Sequence, residues 1–262
     1  MLGVGQLSAL ELEPVEFIRA AAASGLQAVS LFVNQASAQS AFPLTTAKQL
    51  GDVRATLDGE GMVALNVECF MLTPASDVDS YREAIEVGAQ LGAQNLVALL
   101  YDPDQARAVD NLTQLHNLAA EYQMGVGIEF MPFTPLWKTL PDTMRLIESL
   151  ALPNLKVAID CLHLFRSGGG VNDLAHLSHD VISHVQLCDS LSLDESVDYF
   201  HEAGVERLAP GEGAFPLVEL VAALPAGVAF ELEVPQPATV AAKERLATMA
   251  AAARRVLAAA GK

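Results

Sequence analysis

An α/β fold, a closed (β/α)8 TIM barrel spanning residues 1–262 as one domain, is predicted by three observations. Eight short runs rich in Val, Leu and Ile alternate with longer helical stretches from one end of the chain to the other. The length of 262 residues matches the roughly 250 typical of that barrel. No linker, charge block or internal repeat divides the rhythm.

The eight runs lie at 2–6, 28–34, 63–70, 95–101, 125–131, 155–160, 183–188 and 228–234. Most are nearly continuous apolar segments, as expected of parallel strands buried on both faces. The first helix opens at Pro14 and ends before Gly25, and the third runs from about Asp77 to Gly92. For the fourth, Asp102 reads as the N-cap, Pro103 as first turn and Gly125 as lying past the end. The last covers about 239–260, with Arg254 and Arg255 placed late, where cations suit the helix dipole. A doubly wound open sheet is the competing architecture. Its Gly-rich phosphate loop is missing from the first turn after a strand, around 8–13.

Composition narrows the function. The chain is 52% apolar and 18% charged, which is core-rich and not disordered. Asp and Glu number 32 against 15 Lys and Arg, a net charge of −17. Binding along nucleic acid needs a basic face, so no nucleic-acid partner is expected. No run approaches the ~18 apolar residues of a membrane span, and residues 1–12 carry no basic leader, the first Arg being Arg19. Three cysteines, Cys69, Cys161 and Cys188, are an odd number in a chain this size. A reducing cytoplasm is therefore expected, with each Cys buried and inert.

Active sites of such barrels form at the C-terminal ends of the strands. Four consecutive strands end on chemically capable residues: Glu129, Asp160, Gln186 and Glu233. A lone buried acid near a strand end is usually a structural hydrogen-bonder. Three acids and an amide on four neighbouring strands repel one another unless paired or metal-bound. Only five cations, Lys138, Arg145, Lys156, Arg166 and Arg207, fall between Glu129 and Glu233, so a divalent cation is the simplest partner.

The segments GIEFMPF, VAIDCLHLFRSGG, SHVQLCDS, RLAPGEGAFPL and AFELEVP resemble the xylose isomerase-like barrel superfamily, often called sugar phosphate isomerase/epimerase. The resemblance covers most of the chain from about Gly125 onward. Its most telling pieces are the Asp-x-x-His of Asp160 and His163, and Pro-Gly-Glu-Gly at 210–213. Members include ketose epimerases, hydroxypyruvate isomerase, inosose dehydratase, dehydroshikimate dehydratases and endonuclease IV. They hold a divalent metal with Glu, Asp, His and Glu from strands five to eight, which the resemblance carries onto Glu129, Asp160, Gln186 and Glu233. The third position departs from the usual His. Gln186 stands there, with His184 one layer deeper. The resulting set offers oxygen only, which favours Mg²⁺ or Mn²⁺ over Zn²⁺. The dehydroshikimate dehydratase branch shares that Gln within a similar QLxD string.

Other residues near these strand ends have competing roles. Cys188 shares strand parity with Gln186 and could be a soft ligand. Glu231 points the same way as Glu233 and is expected to pair with His184 below the metal. The resemblance places His163, on the loop above the barrel, against substrate. Arg207 is either a substrate carboxylate or phosphate clamp or a surface salt bridge. Phe133 and Trp137 are candidates for a lid that excludes water. Glu68 and Asn66, near the end of strand three, could bind substrate hydroxyls. His116, His176, His179 and His201 read as surface or packing groups.

The resemblance implies a metal-dependent isomerase or epimerase acting on a small sugar, sugar acid or related hydroxy-carbonyl compound. Proton transfer would pass through an enediolate, with Glu129 and Glu233 as base and acid and His163 polarising a substrate oxygen. A dehydratase of the dehydroshikimate or inosose type shares the first step and is the alternative. A barrel that binds metal and ligand without turnover is the other class. The expected partner is a small molecule, with a homo-oligomer possible and no membrane association.

Overall fold

The structure is a computed structural model, and it describes residues 1–35, 41–194 and 198–262. Eight strands close into a parallel barrel in chain order: β1 Leu2–Gly5, β2 Ala28–Phe32, β3 Val63–Leu72, β4 Asn95–Leu100, β5 Gly125–Glu129, β6 Leu155–Asp160, β7 Ile182–Leu187 and β8 Phe230–Leu232. Every predicted run contributes its strand. All residues of β1, β2, β5 and β8 are buried, which is why their sequences show no polar face.

The helices are α1 Pro14–Ala23, α2 Leu50–Glu60, α3 Arg82–Leu91, α4 Gln105–Glu121, α5 Leu140–Leu150, α6 Cys161–Arg166, α7 Tyr199–Val205, α8 Leu217–Ala223 and α9 Ala242–Ala259. Gly92 ends α3 in the left-handed region, as its place after the helix implies. Three predicted ends move. α3 starts at Arg82 and not at Asp77, because Val78–Tyr81 form a separate 3-10 turn. Asp104, not Asp102, caps α4, because the Asp102 carboxylate is fully buried and gripped by Arg107 at 2.6 and 2.8 Å. The last helix starts at Ala242, and Arg254 lies before its final turn. It serves another end instead, donating to the carbonyls of Ser24 and Gly25 just past α1. Among the described residues no helix is long and apolar enough to cross a membrane.

The ladder sets the depth of each inward side chain. Asp160 lies opposite Gln186, and Gln186 lies opposite Glu231. His184 sits one step down, opposite Ala158. Glycine makes room where this polar layer is tight: a Cβ on Gly5 would stand 2.8 Å from Glu231 Oε1.

Candidate metal and catalytic centre

Glu129 closes β5 and Asp160 closes β6. The Asp160 side chain turns the chain directly into α6, its Oδ1 accepting from the backbone N–H of His163 at 3.0 Å. His163 is thus in a helical first turn and only 2% exposed, where the sequence reading put it on a loop. Its Nε2 lies 3.1 Å from Glu129 Oε1, and its Nδ1 meets the hydroxyl of Tyr199 on α7. Ligand atoms of Glu129, Asp160 and His163 all fall within 4.8 Å of one another.

Arg207 occupies the centre of the group. It is not a surface salt bridge. At 2% exposure its Nη1 pairs with Asp160 Oδ2 and lies 3.0 Å from Glu233 Oε2. Its Nε donates to the Ala203 carbonyl at 2.9 Å. Burial by itself would raise the Asp160 carboxyl, but attraction to Arg207 and His163 outweighs it and holds Asp160 well below the usual carboxylate range. Glu233 goes the other way. Burial and repulsion from Glu129, Asp160 and Glu68 push it well up despite Arg207.

Gln186 donates its amide to Glu233 Oε1 at 3.0 Å, while its own Oε1 is buried without a partner. Glu68, Glu231 and Glu233 form a second close group, again with ligand atoms within 4.8 Å. Glu231 does not pair with His184, since the ladder sets them one step apart. Its carboxylate accepts from Ser30 Oγ and from Asn66 Nδ2 at 3.4 Å. His184 bonds Ser183 Oγ at 3.0 Å and leaves Nε2 unpartnered. Burial raises Glu231 to about 7 in spite of its hydrogen bonds, and it lowers His184 to about 4. Burial, then repulsion from Glu231 and Glu129, pushes Glu68 well up.

A cavity of about 360 Å³ opens over these groups and is lined by Glu68, Glu129, His163, Arg207 and Glu233 among others. Of the predicted contacts, Glu68 and Phe133 reach it, while Asn66 and Trp137 do not. Asn66 is spent on Ser30 and Glu231. Trp137 packs against the core because Thr134 Oγ1, bonding the carbonyls of Met131 and Leu136, folds that loop back. Cys188 is fully buried 3.6 Å from Arg207, and burial pushes its thiol up, so it stays protonated and is a poor ligand.

Three supporting residues escaped sequence reasoning. Tyr199 and Phe200 belong to α7, too short and too weakly patterned to place by periodicity. That helix is anchored by Arg166, which grips Glu202 at 2.6 and 2.8 Å. The third is Asp189, whose carboxylate accepts from the N–H groups of Ser190, Gly211 and Phe215 at 2.8 to 3.0 Å. It shapes the Pro-Gly-Glu-Gly loop that follows Arg207. A Cβ on Gly213 would stand 2.1 Å from the Ser190 carbonyl oxygen, so that glycine is required by close approach.

A 3-dehydroshikimate dehydratase of Bacillus anthracis is 32% identical to this chain over 93 residues, 36% of this chain and 31% of that protein. An inosose isomerase of Halalkalibacterium halodurans (strain C-125) is 25% identical over 148 residues, 53% of this chain and 50% of that protein. The chain therefore spans half or less of the length of these curated relatives. The crystal structure of the IOLI protein with a binding zinc atom shares the fold at a TM-score of 0.79 and 16% identity, over 98% of both chains. The family model described as xylose isomerase-like TIM barrel matches residues 18–256. That span holds β2 to β8 and all the strand-end groups described above, and the chain belongs to the xylose isomerase-like TIM barrel family.

Proposed function

We propose that the chain is a divalent-metal-dependent isomerase or epimerase that moves a proton on the carbon beside a carbonyl. The observation that carries this is charge. Five carboxylates, Glu68, Glu129, Asp160, Glu231 and Glu233, are buried at this end of the barrel, and the buried guanidinium of Arg207 pairs with two of them, Asp160 and Glu233. Burial, with repulsion from neighbouring carboxylates, raises Glu68, Glu231 and Glu233, as expected where acids outnumber the cations near them.

The donors fit a cation. Glu129, Asp160 and Glu233 would hold it together with Gln186, whose buried Oε1 lacks any other partner. The relative with bound zinc makes Zn²⁺ a candidate, but an all-oxygen set supports Mg²⁺ or Mn²⁺. When bound, a divalent ion supplies Lewis-acid stabilisation of the oxyanion that develops on the substrate. Arg207 would have to yield part of its hold on Asp160 and Glu233.

The chain's own residues supply the rest. Glu129 and Glu233 both line the cavity, so one can take the C–H proton and the other return it. His163 is held between the Tyr199 hydroxyl and Glu129, which aims its ring at the same space. A second reading, elimination of a β-hydroxyl from the same enediolate, is supported by the stretch of likeness to a dehydratase. The test is deuterium uptake from D₂O by dihydroxyacetone, ketoses, hydroxyacids and cyclic keto-polyols, followed by NMR with Mn²⁺. Exchange that EDTA abolishes is expected. Neither exchange nor elimination with any compound would favour a barrel that only binds.

A further inference from the structure

We propose that this site takes a hydroxy-carbonyl compound whose body is apolar and ring-sized, in place of a polyhydroxylated sugar or a sugar phosphate. The assignment rests on the proton-transfer reading for the reacting head group, and it concerns the remainder of the molecule.

The cavity has two unlike ends. Its ionisable groups stand on strands or in the first turn after one: Glu68, Glu129, His163 and Glu233, with Arg207 beside them. Its outer walls are hydrocarbon and aromatic. Phe32 and Phe42 pair on one side with ring centroids 4.7 Å apart. On the other, Phe133 stands 4.7 Å from Phe200 and 6.2 Å from Tyr101. Met71 and Met131 also reach the space, and thioethers adapt to flat rings.

Among the described residues, hydrogen-bonding side chains are scarce on those walls. Among the described residues, no Asn, Gln, Ser, Thr or Lys lines the cavity. The Tyr101 hydroxyl is turned to Met131 Sδ at 3.9 Å. A sugar carries a hydroxyl on nearly every carbon, and each one pressed on such a wall without a partner weakens binding by roughly 5- to 150-fold. A phosphate fares no better. Among the described residues, three carboxylates line the cavity against a single cation, Arg207, whose Nη1 also meets Asp160 and Glu233. An aryl or comparable alkyl body, by contrast, gains about 10- to 150-fold from leaving water.

The test compares compounds with a common head group. Binding to the Mn²⁺-loaded full chain is measured by calorimetry for dihydroxyacetone, 2-hydroxyacetophenone, D-fructose and fructose 6-phosphate. The expected result is that 2-hydroxyacetophenone binds at least ~10-fold more tightly than the other three. Phe200→Ser should lower that affinity several-fold, by about the worth of one ring-on-ring contact. At 68% exposure Phe200 can be replaced without unfolding the chain. D-fructose or fructose 6-phosphate binding as tightly as the aryl ketone, or a Phe200→Ser variant with unchanged aryl affinity, would overturn the assignment. Binding and exchange fail separately. Aryl preference with no exchange in any compound sinks the proton-transfer reading alone, while exchange of dihydroxyacetone without aryl preference sinks this assignment alone.

Discussion

Replacing Arg207 with Met probes the balance between the guanidinium and a cation most directly. Arg207, Asp160 and Glu233 are 2, 0 and 4% exposed, so water cannot stand in for the lost charge. Breaking one partner out of a buried ion pair costs about 3–5 kcal/mol, because the remaining charge stays desolvated. Glu233, already pushed up, can relieve itself by binding a proton. Asp160 is the residue that depends on Arg207 to remain ionised, and the bond to the Ala203 carbonyl is lost as well. In EDTA at pH 7 the variant should therefore be less stable by about 3–5 kcal/mol, read as a shift of the urea midpoint by circular dichroism. The deficit should persist through neutral pH. Since the lowered carboxyl of Asp160 stabilises the fold above its unfolded pKa, that contribution fades as pH falls below about 4. Mn²⁺ acts in the opposite direction. Free ion at 100 times its Kd stabilises by about 2.7 kcal/mol, and the variant, freed of a competing cation, should gain more than the parent at any given concentration. Equal midpoints in EDTA would refute the buried-pair argument. A smaller gain in the variant would refute the claim that guanidinium and metal compete for the same carboxylates.

Gln186→His adds an imidazole nitrogen to the oxygen set and should move selectivity toward Zn²⁺ by at least tenfold, measured by competitive dialysis with metal analysis; unchanged selectivity would place Gln186 outside the coordination sphere. Glu231 rises from the usual 4.5 to about 7, so its protonation stabilises the folded state below pH 4.5 and that benefit is lost as pH climbs through 7. In EDTA, Glu231→Gln should hence gain up to about 3 kcal/mol on the parent between pH 4.5 and 8, while parallel denaturation profiles would count against the buried acid. Gly213→Ala should lower stability by about 1–3 kcal/mol through its clash with Ser190 and Asp189, whereas Gly51→Ala on α2, with nothing within 4 Å, should be neutral or stabilising in the same thermal melt.

Strand runs and strand-end acids were legible in the sequence because both are local. A strand buried on two faces must be apolar along its length, and a polar residue interrupting it has to be held by something. That reasoning reached all eight strands and the strand-end positions of Glu129, Asp160, Gln186 and Glu233, which the structure divides: Glu129 and Asp160 gather with His163, and Glu233 with Glu68 and Glu231. Partnership was not legible. Arg207 lies 47 residues from Asp160 in sequence, and only closure of the barrel brings its guanidinium between Asp160 and Glu233. The same closure gives Glu231 to Ser30 and Asn66 instead of His184, since strand register, not spacing, decides which side chains share a level. Loop direction was equally hidden: Trp137 folds back to the core while Phe200, on a short helix of weak pattern, reaches the cavity. Composition and periodicity thus determine the barrel and the rim where chemistry sits. The tertiary structure decides which charges meet there and what kind of wall a substrate faces, because both depend on contacts between residues far apart in the chain.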